Sequence, residues 1–216
     1  MKAAEAYKQQ EDFLRYLDLH AGNRDTEALK RYLVEKTDFF SGPSSAKFHG
    51  AYYGGLCEHS INVYEIAKKL YSIYDPDMLY PHLYDALCLS ALLHDVCKVN
   101  CYKITNRNVK KYITAKDIVD PKLVREDAGG KYVWDVEQGY TFDEKEKFGG
   151  HGSKSVFLVM QFFPLTFIEA AAINTHMGAW ADNKIAQCNC SPVYEYNTIA
   201  FLLHLADEWS TFVNFI

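Results

Sequence analysis

A histidine and an aspartate stand side by side at the end of a strongly apolar segment. Residues 90–98 read SALLHDVCK, so the His94–Asp95 doublet follows three apolar residues, and Lys98 comes three positions after Asp95. Imidazole and carboxylate groups are good ligands for divalent cations, and burying them uncompensated is costly. We therefore interpret the doublet as part of a metal site. Lys98 can share a helical face with it, and a cation beside a metal indicates an anionic substrate.

Four other polar residues stand in apolar or glycine-rich surroundings. His59 follows a Gly-Gly-Leu segment, His151 lies between two glycines, His176 closes an Ala-rich segment and Asp207 follows an apolar run. A lone helical histidine is usually a packed or surface residue, and a lone aspartate after an apolar run is usually solvated. The combined order of His, His-Asp, His, His and Asp is more specific for a metal site.

Three short motifs surround these candidates. They are Phe39-Phe40…Pro43…His49-Gly50, Gly54-Gly55-Leu56-Cys57-Glu58-His59-Ser60 and Gly150-His151-Gly152-Ser153-Lys154-Ser155. Together with the His94–Asp95 doublet, they make the chain resemble the HD-domain superfamily of metal-dependent phosphohydrolases, in particular a bacterial and prophage-like branch. The resemblance covers roughly residues 39–207 and implies a helical fold.

The resemblance also implies a ligand set. It assigns one divalent metal ion to His59, His94, Asp95 and Asp207. It places His151 and His176 where some members of the superfamily complete a second metal site, and where one-metal relatives use histidines to contact the phosphate or the leaving group. One ion is therefore expected, or two where His151 and His176 complete a second site. Such ligands suit Mn, Fe, Co, Ni, Zn and, less well, Mg, so they do not identify the metal.

The chemistry implied by the resemblance is hydrolysis of a phosphate mono- or diester by a metal-activated water. Asp95 is expected to bind metal and hold the nucleophilic water, and Lys98 to neutralise charge on the phosphate in the transition state. Lys154, three residues after His151, is a second candidate for binding phosphate. His49 is a candidate for the mouth of the pocket.

Three functions remain open at this point. The first is a phosphohydrolase or phosphodiesterase acting on a nucleotide or another small phosphorylated substrate. The second is a di-iron, O₂-dependent oxygenase, since some relatives of this fold hold two irons. The third is a non-catalytic, metal-stabilised binding or regulatory module; Lys98 argues against it, because a scaffold has little need of that lysine.

Helical patterns provide the elements that must position these residues. They are predicted at 3–20, 25–36, 56–74, 83–96, 153–162, 166–176 and 193–212. Residues 100–147 instead show short alternating runs, which predict a β-hairpin or small sheet. Residues 181–192, with Cys188 and Cys190, are predicted to be a loop. We therefore expect a mainly α fold: a single HD-type helical domain over 1–216, with N-terminal helices in 1–38 and a β-containing insertion at 100–147.

Composition limits the remaining possibilities. With 216 residues, 49% of them hydrophobic, the chain can bury a substantial core. The net charge of −5 argues against a broad grip on long nucleic acid. No apolar run is long enough for a membrane span, and six cysteines without a disulfide spacing indicate a reducing, cytoplasmic setting. We expect no zinc finger at Cys188 and Cys190, surface positions for His20 and His82, and a packing role for His204.

Overall fold

The computed structural model describes residues 3–114, 117–145, 148–181 and 184–213, with the side chains of 3–6 and 184–189 left out of the description. The described chain is mainly helical, with a three-stranded antiparallel sheet, so the predicted fold class is confirmed. Its α-helices are α1 (Ala3–His20), α2 (Glu27–Glu35), α3 (Gly55–Tyr74), α4 (Pro81–Leu93), α5 (His151–Val159), α6 (Phe167–Thr175), α7 (Lys184–Tyr196) and α8 (Thr198–Phe212).

Helix α4 is the centre of the helical body. It begins with Pro81, whose fixed φ suits the first helical position, and every residue from Ala86 to Leu93 is buried. An α-helix that is apolar on all sides is stable only when other elements surround it. Here α4 packs against α1, α3, α6 and α8. The residues that directly follow Leu93 therefore lie in the interior of the helical body.

The loop before α3 is wound tightly against the start of that helix. Gly54 has φ +79°, and a Cβ on Gly55 would lie 2.0 Å from the Gly50 carbonyl oxygen, so this approach requires glycine. The Ser44 amide donates to the Gly50 carbonyl at 3.0 Å. This close packing brings His49 beside α3.

The sheet has the strand order β1–β3–β2, with β1 at Tyr102–Tyr112, β2 at Arg125–Asp127 and β3 at Gly130–Phe142. Tyr102 pairs with Phe142 at one end, and Tyr112 pairs with Tyr132 at the other. Both faces of the long β1–β3 ribbon are largely exposed. The β-containing insertion thus leaves the helical body and returns to it at nearly the same place. That the whole chain forms one domain stays a prediction.

Two predictions about the C-terminal part are wrong. Residues 184–196 form α7 where a loop was expected over 181–192, and the single helix predicted at 193–212 is divided at Asn197, whose backbone is extended. Pro192 removes a backbone donor, yet contacts of α7 with α6, α8 and a short 3₁₀ turn at Gly178–Trp180 hold the segment helical. The side chain of Cys188 lies outside the described residues. Cys190 is buried, and its Sγ lies 3.6 Å from the Gly178 carbonyl oxygen.

His20 is a third correction. It was expected at the surface, but its side chain is only 3% exposed. Its Nδ1 lies 2.9 Å from Asp85 Oδ1, and its Nε2 lies 3.1 Å from the Tyr64 hydroxyl. The reason is that α1 packs on α3 and α4, so the last turn of α1 faces inward. His82 is exposed, as expected. In the described part of the chain, no helix combines the length and apolarity needed to cross a membrane.

Candidate metal centre

Five buried histidine and aspartate side chains converge from four helical elements. His59 lies in the second turn of α3, His94 and Asp95 follow the last residue of α4, His176 follows the last residue of α6, and Asp207 lies on α8. Each is less than a tenth exposed. Because α3, α4, α6 and α8 pack on one another, residues distant in sequence meet at a single place.

The convergent atoms form two triads that share His94. The first joins His59, His94 and Asp207, and the second joins His94, Asp95 and His176; within each, the potential ligand atoms lie within 4.8 Å of one another. His59 Nε2 lies 3.1 Å from Asp207 Oδ1 and 3.3 Å from His94 Nε2. Asp95 lies between two rings, with Oδ2 at 3.4 Å from His94 Nε2 and Oδ1 at 3.6 Å from His176 Nε2.

Backbone carbonyls fix the tautomers of two of these histidines. His94 Nδ1 donates to the Ala91 carbonyl at 2.8 Å, and His176 Nδ1 donates to the Ile173 carbonyl at 2.7 Å. In the neutral imidazole, each Nε2 then carries the lone pair that a metal needs. Among the described residues, His176 Nε2 and Asp95 Oδ1 have no hydrogen-bond partner although both are buried. This donor set fits a divalent cation, and the triads could hold one.

Opposite charges dominate the electrostatics of the cluster. Burial alone would raise the pKa of the Asp95 carboxyl, but Lys98 and His94 hold that pKa well below its usual range. Burial likewise opposes ionisation of Asp207, yet the hydrogen bond with His59 and the charge of His94 lower its pKa. Both carboxyl groups are therefore ionised at neutral pH, as metal binding requires.

The pKa values of two histidines are shifted in the opposite direction. Burial would lower the pKa of His59, but its interactions with Asp207 and Asp95 outweigh burial and raise it. The pKa of His176 is raised in the same way, chiefly by Asp95. The two carboxylates therefore favour the protonated form of the His59 and His176 rings.

Lys98 lies at the edge of the cluster. Helix α4 ends at Leu93, so Lys98 reaches Asp95 from a 3₁₀ turn at Val96–Lys98 and not from the longer helix expected at 83–96. Its Nζ lies 2.6 Å from Asp95 Oδ2, and its side chain is 11% exposed. Burial would lower the pKa of Lys98, but Asp95 raises it, so the amine stays charged. Lys98 also lines a cavity of about 280 Å³.

The remaining predicted site residues surround the cluster without joining the triads. His151 is the first residue of α5, with its ring 17° from parallel to that of Phe142. Lys154 lines the same cavity as Lys98, with Nζ 2.5 Å from Glu144 Oε1. The His49 ring centroid lies 4.9 Å from that of His59, and burial lowers the pKa of His49 to about 4. The roles assigned to these three residues stay predictions.

Two contacts to the cluster are not predicted by the sequence pattern. Ser210 Oγ lies 3.4 Å from His59 Nδ1, and His204 Nδ1 donates to the His176 carbonyl at 2.7 Å. Ser210 and His204 each lie three positions from Asp207 on α8, one after it and one before it. Residues at that spacing share a helical face, so the spacing could have identified Ser210. For His204, the same spacing allows a contact that supports a ligand, although the sequence favours a packing role.

Comparisons with known proteins give a partial match. No protein-family model and no solved structure matches the chain. An 80-residue segment is 35% identical to the 3′-5′ exoribonuclease YhaM of Geobacillus sp. (strain WCH70). That segment covers 36% of this chain and 23% of the exoribonuclease. Part of the chain is thus similar to part of a ribonuclease, and the buried His and Asp cluster is consistent with an HD-type metal site.

Proposed function

We propose that the chain is a metal-dependent hydrolase of phosphate mono- or diesters. The observation that carries the proposal is the convergence of buried imidazole and carboxylate ligands beside Lys98, which reaches both the cluster and an adjacent cavity. The partial similarity to an exoribonuclease supports the same class of reaction. We retain His59, His94, Asp95 and Asp207 as the ligands of the ion.

We expect one ion per chain. His94 has only Nε2 to offer, because its Nδ1 bonds to the Ala91 carbonyl, so the two triads that share His94 cannot each use it at once. A second ion would need further ligands around Asp95 and His176. His151, the candidate for that role, belongs to neither triad among the described residues.

The roles of the chain's own residues follow from their positions. A bound divalent ion would supply Lewis acidity and lower the pKa of a water molecule. Asp95 Oδ1, which is buried and without a hydrogen-bond partner in the described structure, is placed to accept a hydrogen bond from that water and orient it. Lys98 is placed to neutralise the charge that develops on the phosphate of an ester in the cavity.

Metal analysis together with activity assays tests the proposal. We expect the purified protein to carry about one divalent ion per chain and to hydrolyse at least one member of a panel of phosphomonoesters and phosphodiesters. Asp95→Ala should lose both metal and activity. Lys98→Met should keep the metal while kcat falls by roughly 10²–10³-fold, the usual effect of removing one charge-stabilising donor. Lys69→Met, at an exposed position of α3, is the matched control.

The alternatives predict different results. Absence of stoichiometric metal from the wild type, or equal activity of the wild type and Asp95→Ala, would refute the proposal. Two irons per chain with oxygen consumption would favour the oxygenase. Bound metal without turnover of any ester would favour a binding or regulatory module.

A further inference from the structure

One edge of the three-stranded sheet is only partly covered. Strand β2 pairs with β3 at residues 130–132, and no strand in the described part of the chain continues along that edge over residues 134–142. An uncovered edge presents backbone N–H and C=O groups that can pair with another chain. We propose that this edge of β3 pairs antiparallel with the same edge of a second copy of the chain, so that two ribbons form one continuous sheet in a two-fold symmetric dimer.

The hydrogen bonds of the ribbon show which residues of β3 face this edge. The Ile113 amide donates to the Lys131 carbonyl at 2.9 Å, and the Asp143 amide donates to the Cys101 carbonyl at 2.7 Å. The register between these two points is continuous. Because backbone bonds alternate along an antiparallel pair, the odd-numbered residues of β3 bond to β1, and the even-numbered ones point their N–H and C=O groups outward. The pairing of Tyr132 with β2 on this edge agrees with that assignment.

The side chains along the edge suit a contact with protein. Trp134 is 56% exposed and Val136 is 60% exposed. Gln138 is also exposed, and the three side chains share one face of the ribbon because side chains alternate along a strand. Lysine commonly protects an edge strand from pairing. Strand β1 contains three lysines, whereas residues 133–142 contain none, so the edge of β3 is the less protected of the two.

Charge determines how two copies of this edge can meet. In a two-fold dimer the edge must be complementary to itself, and acidic side chains directly opposite each other are destabilising. The charged residues of 133–142 are Asp135 and Glu137. With the two-fold axis at Gln138, Asp135 lies opposite Thr141 of the second copy. Glu137 then lies opposite Gly139 of the second copy, whereas an axis one residue earlier would bring the two Glu137 carboxylates face to face.

The same register matches the apolar side chains. Val136 lies opposite Tyr140 of the second copy, and Trp134 lies opposite Phe142. Pairs of aromatic residues with each other or with β-branched residues stabilise a sheet. At the axis, the two Gln138 amides can each donate and accept a hydrogen bond. Strand β2 covers only the part of the edge before Trp134, and Trp134 pairs with the last residue of the second β3, so β2 and the second copy do not compete.

The mass of the full chain as a function of concentration tests the inference. The contact is limited to residues 134–142 of each copy, so by sedimentation equilibrium we expect a reversible rise from one chain to two between about 1 and about 100 µM. Gln138→Pro removes the backbone donor at the axis, and proline is tolerated on an edge strand, so this variant should stay monomeric. Asn106→Pro is the matched control and should dimerise like the wild type. Asn106 pairs with Gln138 within the ribbon, but its amide points out of the opposite edge, that of β1.

Oxidative cross-linking tests the register. Two copies of the residue on the axis have Cα atoms about 5.5 Å apart, within the range that a disulfide spans. Gln138→Cys should therefore give a covalent dimer with diamide, whereas Asn106→Cys and the wild type, with its native cysteines, should not. The cysteine variants keep every backbone donor, so this result decides the matter even where a proline disturbs the ribbon.

Four results would each overturn the inference. They are a wild type that stays monomeric at every concentration, equal loss of the dimer in both proline variants, absence of a Gln138→Cys cross-link, and a mass that continues to grow beyond two chains. The last of these would indicate head-to-tail pairing of β3 with β1 of the next copy, which leaves a free edge at each end.

Discussion

The histidines of the cluster are held by contacts on the side of the ring that faces away from it. His94 and His176 each donate Nδ1–H to a carbonyl of their own helix, and His59 Nδ1 lies near Ser210 Oγ. Such contacts fix the tautomer and the ring orientation of a metal ligand and raise its basicity. The cluster is therefore arranged for a cation before the cation binds, which reduces the ordering that binding requires.

The contact between His204 and His176 can be tested by substitution. Its Nδ1 donates to the His176 carbonyl, and its ring stacks on Tyr194 at an interplanar angle of 16°. His204→Phe keeps an aromatic ring but loses the bond that holds His176 beside Asp95, one of the proposed ligands, so we expect the metal Kd to rise by about tenfold, measured by competition with a chelating dye. His204→Gln, which retains an amide donor, should recover part of the affinity. His82→Phe, at an exposed position, should have no effect. Unchanged affinity of His204→Phe would show that the bond to the His176 carbonyl does not support the metal site.

The C-terminal ends of two helices favour a cation at the site. His94 is the C-cap of α4 and His176 is the C-cap of α6, so both of these candidate ligands lie at helix C-termini. The C-terminus of an α-helix carries partial negative charge. Two such ends beside the carboxylates make this part of the interior favourable for a cation, independently of which metal occupies it.

The position of α6 depends on a buried ion pair. The Arg24 guanidinium donates to both Glu169 oxygens at 2.7 and 2.9 Å, and the Glu169 side chain also accepts from the Thr166 amide in a capping box. Arg24→Met leaves a buried carboxylate without its cation and should lower the free energy of unfolding by about 3–5 kcal/mol. The second change Glu169→Gln removes the charge but can keep the capping bond.

Urea denaturation of the single and double variants measures this effect. We expect Arg24→Met with Glu169→Gln to be more stable than Arg24→Met alone. The control Arg31→Met, at an exposed position of α2, should change stability by less than about 0.5 kcal/mol. If the double variant is no more stable than Arg24→Met, the uncompensated carboxylate is not the cause of the loss.

We expect the helical body to fold and to bind metal without the β1–β3 ribbon. Its strands return side by side, and Lys103 pairs with Thr141 near the body. Replacing residues 104–140 by Asn-Gly, a favoured two-residue hairpin turn, should leave the helical circular dichroism and the metal content unchanged, because the predicted ligands lie on α3, α4, α6 and α8. Loss of a cooperative thermal transition would instead show that the ribbon is part of the folding unit, and would contradict a single helical domain with an insertion.

At the scale of the whole molecule, the cluster links stability to pH. The raised pKa values of His59 and His176 mean that, without metal, their stabilisation is complete below their ordinary value of 6.5 and is lost as pH rises through the folded-state values. The lowered pKa values of Asp95 and Asp207 stabilise the protein above their ordinary value of 3.8, and that contribution is lost as pH falls through the folded-state values.

We therefore expect the chelated protein to have its highest Tm between about pH 4 and pH 6.5, followed by a decline toward pH 8. Metal ligation requires deprotonated histidines. The increase in Tm on adding Zn²⁺ or Mn²⁺ should therefore become larger with rising pH, over the same range in which the Tm of the chelated protein falls. Thermal melts from pH 4 to pH 9, with and without metal, measure both trends. A metal-induced shift in Tm that is constant across this range would contradict the linkage.

The positions of most helices and of the candidate ligands follow from the amino-acid sequence alone. The periodicity of apolar residues predicts the bounds of α1, α3 and α4 to within a few residues. It does so because the apolar face of each helix is formed by residues three or four positions apart on that same helix. The alternating run at 131–134 predicts a strand within the insertion. The His94–Asp95 doublet is conspicuous because ionisable groups at the end of a fully apolar helix must be compensated.

Which side chains meet depends instead on the tertiary structure. It brings His176 into a triad and leaves His151 outside both, buries His20 against Tyr64, and pairs Lys154 with Glu144. It also holds α7 helical, where local composition predicts a loop. These contacts depend on how segments far apart in the chain pack on one another. The apolar period of one helix shows which of its faces is buried, but not which residue of another helix lies against that face.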